Sequence, residues 1–252
     1  MGNQFELSHH LQNDEVDNYQ RLVHKMKTSP IPNNEILANI GLYLNRSSLA
    51  RILFFDELYK QIINNHGVII EFGVRWGQTL NVMSSLRSIY EPYNISRKII
   101  GFDTFSGFPA VTAEDGSTAK SQAGNYSVSD NYQTDLEELL QIQEDLNPKS
   151  SVKKFELVKG DVTETLPVYL DNHPETLISL VYFDLDLYKP TKFCLEAIFP
   201  YCHQDTIFAF DELCYEDFPG ETQALREVFA ERKYKVIRSA TSPQQSYVKL
   251  VD

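Results

Sequence analysis

Apolar residues recur at helical spacing through Leu49, Ile52, Leu53, Phe55, Leu58, Tyr59, Ile62 and Ile63, and residues 65–67 end that helix with turn chemistry. From there short apolar runs alternate with amphipathic stretches. Residues 68–70 read as a strand, followed by the glycine-containing FGVRWGQT and a helix carrying Leu80, Met83, Leu86 and Ile89 on one side. Four more apolar strands follow at 98–102, 155–158, 178–183 and 206–210. Pro190 opens a helix that buries Phe193, Cys194, Ala197 and Ile198, and Ala224, Leu225, Val228 and Phe229 mark another. Short strands near 235–237 and 246–250 close the chain. Apolar strands of this kind need cover on both faces. The pattern therefore predicts an α/β chain with a Rossmann-like, mostly parallel seven-stranded sheet and helices on both faces.

Two regions depart from the alternation. The first 45 or so residues are polar, with Pro30 and Pro32 breaking them into short pieces, which predicts a helical extension over 1–48 ahead of one domain over 49–252. The stretch 106–131 is polar and rich in Gly and Ser, and it leads into a helix with the capping signal Thr134-x-x-Glu137. A loop this long in a compact domain is usually either functional or disordered. Because this one leaves the carboxyl end of the second strand, it is expected to be a lid over the substrate.

Composition narrows the partners. A net charge of −12 without a basic block disfavours phosphate-backbone and anionic-membrane binding. No signal peptide and no membrane-length apolar run is visible. Cys194, Cys202 and Cys214 are an odd set without CxxC spacing, as expected of reduced thiols in a cytoplasmic protein. The six histidines form no HxD or HExxH pattern, which argues against iron or zinc catalysis.

Ligands of open α/β sheets bind beyond the carboxyl ends of the strands. Those ends are acidic throughout: Glu71, Asp103, Asp161, Asp184 with Asp186, and Asp211 with Glu212. In Glu71-Phe-Gly73-Val-Arg-Trp-Gly77-Gln78-Thr79 the glycines have G-x-x-x-G spacing, unlike the G-x-G-x-x-G of dinucleotide sites, so a nicotinamide dehydrogenase is disfavoured. The loop still allows close backbone approach, and the helix opening at Gln78 and Thr79 offers N–H groups to a carboxylate. Glu71 can accept from an ammonium, Asp103 from ribose hydroxyls and Asp161 from an adenine amino group, with Val162 against the ring. Gly73 and Ser106 complete the candidate donor site. A zwitterion, a ribose and an adenine in that order describe S-adenosylmethionine (SAM).

The stretches IIEFGVRWGQTL, IIGFDTFSGFP, LVKGDVTETLP, YFDLDLYKPTKFCLEAIFP and FAFDELCYEDFPGET, between Ile69 and Thr222, resemble the macrocin-type O-methyltransferases of antibiotic and polysaccharide sugar pathways. The resemblance implies SAM as donor, a sugar or polyol hydroxyl as acceptor, a homodimer and a magnesium site. Adjacent strands lie about 5 Å apart, so Asp184, Asp211 and Glu212 can share one Mg²⁺. Where the family has Asp-Asp at the second pair, this chain has Asp211-Glu212, with a longer second arm. Asp184 matches the family's base position, and Asp186 either shares that edge or holds the following turn. A catechol-type lysine is missing, its place taken by Leu187. Trp76, Tyr126 and Tyr132 are either ligand-stacking or ordinary packing residues. Two alternatives are N-methylation of an amino sugar, which needs no metal, and a non-catalytic SAM-binding subunit, which would not need all three metal-site acids.

Overall fold

The computed structural model describes residues 13–116 and 121–251. The chain divides into two compact units, Met1–Arg51 and Ile52–Asp252. In the first, α1 (Asn13–Lys27) is followed by a 3₁₀ turn, Leu37–Tyr43, and the start of α2 (Arg46–Ile62). The Tyr43 hydroxyl donates to Ser29 Oγ at 2.6 Å, across the segment that Pro30 and Pro32 keep out of helix.

The second unit holds the sheet. Strands β1 (Val68–Phe72), β2 (Ile99–Asp103), β3 (Phe155–Lys159), β4 (Ile178–Phe183), β5 (Cys202–Phe210), β6 (Tyr234–Arg238) and β7 (Ser246–Leu250) lie in the order β3-β2-β1-β4-β5-β7-β6. The first five run parallel, and β7 pairs antiparallel with both β5 and β6. Helices α3 (Gln78–Tyr90), α4 (Tyr132–Asp145), α5 (Val162–Asn172), α6 (Tyr188–Ile198) and α7 (Gly220–Val228) connect them. This is the expected Rossmann-like, mostly parallel seven-stranded sheet.

Side-chain parity explains the two cores. Ile70, Phe72, Ile100, Phe102, Phe183 and Phe208 point to one face and pack with Leu166, Leu195 and Leu225 of α5, α6 and α7. Ile69, Ile99, Leu180, Tyr182 and Ile207 point to the other and meet Phe55 and Leu58 of α2, Met83 of α3 and Leu140 of α4. Because both faces are covered, the strands read as continuous apolar runs.

Element starts differ from expectation in two places. Helix α4 begins at Tyr132, after Asn131 in a left-handed conformation, so Thr134 lies inside the helix and does not cap it. Helix α6 begins at Tyr188, which puts Pro190 in the first turn, where its missing N–H costs no hydrogen bond. Among the described residues, no helix is long and apolar enough to cross a membrane.

Candidate active site

The parallel strands end together because their last hydrogen bonds continue into the loops. Gly73 N donates to Phe102 O (2.9 Å), Asp184 N to Phe72 O (2.8 Å), Gly160 N to Asp103 O (2.9 Å) and Asp211 N to Phe183 O (3.0 Å). The expected acids are thereby brought to one edge. Gly73 has φ +90°, and a Cβ there would overlap the Asp184 carbonyl, so the loop after β1 lies directly on the loop after β4. Gly77, with φ +76°, precedes α3, and a Cβ on it would strike Leu136 of α4.

Around the donor half, Asp103 closes β2 and is already engaged. Its Oδ2 accepts from Arg75 N at 2.7 Å and its Oδ1 from Phe105 N at 2.5 Å. Asp161 caps α5, accepting from Thr163 N (2.9 Å) and Thr163 Oγ1 (2.7 Å). Glu71 lies within β1, not after it, and is 2% exposed on the face shared with Ile69. Gln78 and Ser106 are exposed, Thr79 is buried, and Val162 packs in the core beside α5.

At the ends of β4 and β5 the acids crowd. Burial pushes the Asp186 carboxyl well above the usual carboxylate range, and the charges of Asp184, Glu212, Glu221 and Asp211 push it further. Glu221, in the first turn of α7, is raised by burial and by Asp184, Asp211 and Glu212. Its carboxyl accepts from Leu185 N at 3.3 Å, tying α7 to the loop after β4. One oxygen of Asp211 takes the Tyr182 hydroxyl and Gln245 Nε2, the latter at 2.7 Å. Among the described residues, no group of three or more His, Cys, Asp or Glu is arranged to hold a metal ion. The expected Asp184–Asp211–Glu212 cage is therefore not preformed. Part of Asp211 is turned toward β7, where its hydrogen bonds already compete with a cation.

The loop after β2 reaches this edge. Asp115, 1% exposed, accepts from Tyr188 N at the start of α6 (2.5 Å) and from Thr112 N (2.6 Å). Tyr126 stacks near Phe108, ring centroids 5.0 Å apart, and Phe218 lies 6.4 Å from both. Burial raises the Tyr126 hydroxyl above its usual range; Asp186, Glu212 and Asp184 add to this, and Arg75 opposes it. The charges of these acids thus reach the Tyr126 hydroxyl. Tyr132 instead packs edge-on against Trp76 at 4.7 Å and donates to its carbonyl. Among the described residues, the non-glycine positions with positive φ other than Lys149 lie in the loops after β1, β2, β4 and β5: Arg75, Phe105, Tyr126, Asn131, Asp186 and Cys214. Strained backbone of this kind gathers where geometry serves a ligand.

Sequence reasoning missed Glu221, Asp115 and Arg75. Thr112-x-x-Asp115 does form a capping box, the one local signal available for Asp115.

No protein-family model and no curated protein matches the chain. Solved structures do. The crystal structure of CalS11, a calicheamicin methyltransferase, aligns with a TM-score of 0.93 at 40% identity, covering 100% of this chain and 99% of that one. An apo structure of CalS11, described as a TDP-rhamnose 3'-O-methyltransferase of calicheamicin biosynthesis, gives 0.84 at 38% identity over 96% of this chain and 97% of that one. The O-methyltransferase NovP gives 0.61 at 18% identity over 81% of each chain, a likeness of fold alone. Identity of 40% over the full chain to CalS11 shows that the chain belongs to the macrocin-type family of SAM-dependent sugar O-methyltransferases.

Proposed function

We propose that this enzyme methylates a ring hydroxyl of a nucleotide-linked deoxysugar. The observation that carries the reading is the carboxylate cluster beyond β4 and β5, whose charges reach Tyr126, in a chain 40% identical to a methyltransferase whose acceptor is TDP-rhamnose.

The donor lies along the ends of β1, β2 and β3. Its carboxylate meets the N-terminus of α3 at Gln78 and Thr79, its ribose meets Asp103, and its adenine meets Asp161 and Val162. Glu71, Gly73 and Ser106 shape the same path. Both oxygens of Asp103 keep lone pairs beyond the two backbone N–H groups they hold, so the carboxylate can still accept from hydroxyls. The acceptor sits between Asp184 and the 106–131 loop, which acts as its lid. Asp184 takes the hydroxyl proton as the oxygen attacks the sulfonium methyl carbon, and the S–C electron pair stays on sulfur. Burial and the neighbouring acids raise the Asp186 carboxyl well above the usual carboxylate range, which weakens its charge beside the reacting oxygen.

Magnesium enters on the chemistry of the donor set alone: Asp184, Asp211 and Glu212 are hard oxygen ligands in a patch with excess negative charge. Bound there, Mg²⁺ would lower the pKa of the acceptor hydroxyl. No step above passes through it. Mg²⁺ is expected to raise the melting temperature of the wild type and not of Asp211→Asn; equal shifts remove the metal from the reading. A homodimer and a cytoplasmic location complete the proposal, and sedimentation tests the first.

The function itself is tested by incubating the enzyme with SAM and a panel of nucleotide deoxysugars, with detection by mass spectrometry. A product one methylene heavier, with the methyl on oxygen, is expected. Transfer only to amines, or to free sugars and no nucleotide sugar, overturns the reading.

A further inference from the structure

Arg75 stands in the glycine loop between β1 and α3, and its backbone is strained to display it. Its φ is +48°, left-handed for a residue with a Cβ, and its N–H is spent on Asp103. The side chain then leaves the donor path. Its guanidinium carbon lies 5.0 Å from the centroid of the Tyr126 ring, in the loop that closes over the acids. Its Nε is buried and has no hydrogen-bond partner among the described residues. A buried N–H of a charged group without an acceptor is costly unless a ligand supplies one.

The surroundings identify that ligand. Gly73, two residues before Arg75, lies directly on the Asp184 backbone, and the charges of Asp184, Asp186 and Glu212 reach Tyr126, so Arg75 stands beside the acids of the acceptor end. An anionic acceptor entering this patch meets like charge and needs a cation with open donors. The donor's own carboxylate is already served by the backbone N–H groups of α3, which begins three residues after Arg75. We infer that Arg75 is the receptor for the acceptor's phosphate oxygens, with Tyr126 holding the guanidinium plane so that its fork meets a diphosphate. This rests on the nucleotide-sugar reading and narrows it, since Arg75 selects acceptors by their diphosphate portion, which the reaction leaves intact, and leaves the choice of hydroxyl to the acids.

The test uses the full chain with Arg75→Gln and Arg75→Lys. Inorganic pyrophosphate is titrated into each protein by calorimetry and used as a competitor of the nucleotide sugar in turnover. For Arg75→Gln, the acceptor KM and the pyrophosphate Ki are expected to rise together by roughly tenfold or more, with kcat changed less than about threefold. SAM affinity is expected to hold, because the Arg75 N–H to Asp103 survives the change. Arg75→Lys is expected to fall between the two. Pyrophosphate binding that ignores the substitution overturns the inference. So does a fall in SAM affinity with acceptor KM unchanged, which hands the guanidinium to the donor carboxylate, or a loss confined to kcat, which makes it a strap for the loop. Failure of the functional reading looks different. The wild type would then methylate no nucleotide sugar, while the pyrophosphate titration would still read the anion site without turnover.

Discussion

Asp103 holds two loops with one carboxylate, and this structural role separates by charge from the ribose-binding role proposed for it. Asp103→Asn leaves an oxygen to accept from one backbone N–H but removes the negative charge. SAM affinity measured by calorimetry is expected to fall about tenfold, with only a small change in melting temperature. Asp184→Asn is expected to lower kcat about 10²–10⁴-fold while SAM affinity holds, as for any lost proton acceptor. If kcat survives, the base is elsewhere in the cluster. These strand-end acids were legible in the sequence because an apolar run of known length fixes where its strand stops. Glu221 and Asp115 were not, since their partners Leu185 and Tyr188 lie 36 and 73 residues away and no local pattern links them. Arg75 was hidden by its own loop, where an arginine among glycines reads as solvated.

At the level of elements, the 106–131 loop is where expectation and structure part. Its Gly and Ser content suggested a segment with little to pack. Yet Phe108, Tyr126 and Phe218 form an aromatic group, and Asp115 fastens the loop to the N-terminus of α6. Two aromatics and one buried acid decide the matter, and composition averages them away. Asp115→Ala strands the Tyr188 N–H and is expected to cost about 1–3 kcal/mol of stability. It should also speed proteolysis within the loop, whereas Asp115→Asn should restore much of the resistance. Equal cleavage of all three proteins would show that the contact does not hold the loop. The start of α4 was misread for a related reason. Thr134-x-x-Glu137 has the capping pattern, but Asn131 in a left-handed conformation already turns the chain into the helix two residues before it.

Across the whole molecule, buried charge fixes the side of the sheet away from the ligands. Arg97, 2% exposed, donates to Ile62 O, Asn65 O, Gly67 O and Ser179 Oγ and pairs with Glu91, joining the end of α2 to the starts of β1 and β4. Burial raises the Glu91 pKa, but hydrogen bonds from Arg97, Tyr59 and Asn94 outweigh it and hold the carboxyl below its ordinary 4.5. A depressed folded-state pKa contributes stability above the unfolded value, and that stability is lost as pH falls through the folded one. Glu91→Gln is therefore expected to melt below the wild type at neutral pH, and the gap should narrow as pH falls below the ordinary carboxylate value of 4.5. A gap independent of pH would assign the loss to packing. The overall architecture was readable from hydrophobic period alone, since seven strands and their covering helices need only alternation. The charged clamps were not, because an arginine buried at 1–2% looks in sequence like any surface cation.

One of those clamps bears on how such enzymes diversify. Arg87 of α3 and Lys154 beside β3 both grip Glu144 of α4, at 2.7 and 2.5 Å, so the helix that follows the loop is locked in place whatever the loop contains. Asp103 secures the other end. A segment with both ends fixed by the scaffold can be exchanged as a cassette so long as the Asp115 contact to α6 is kept: the rest of its sequence is free to drift, while the donor side and the fold are inherited unchanged. Grafting residues 106–131 from a relative with a different acceptor should then move substrate preference without a new core, and the surviving Glu144 clamp is the reason the graft would fold.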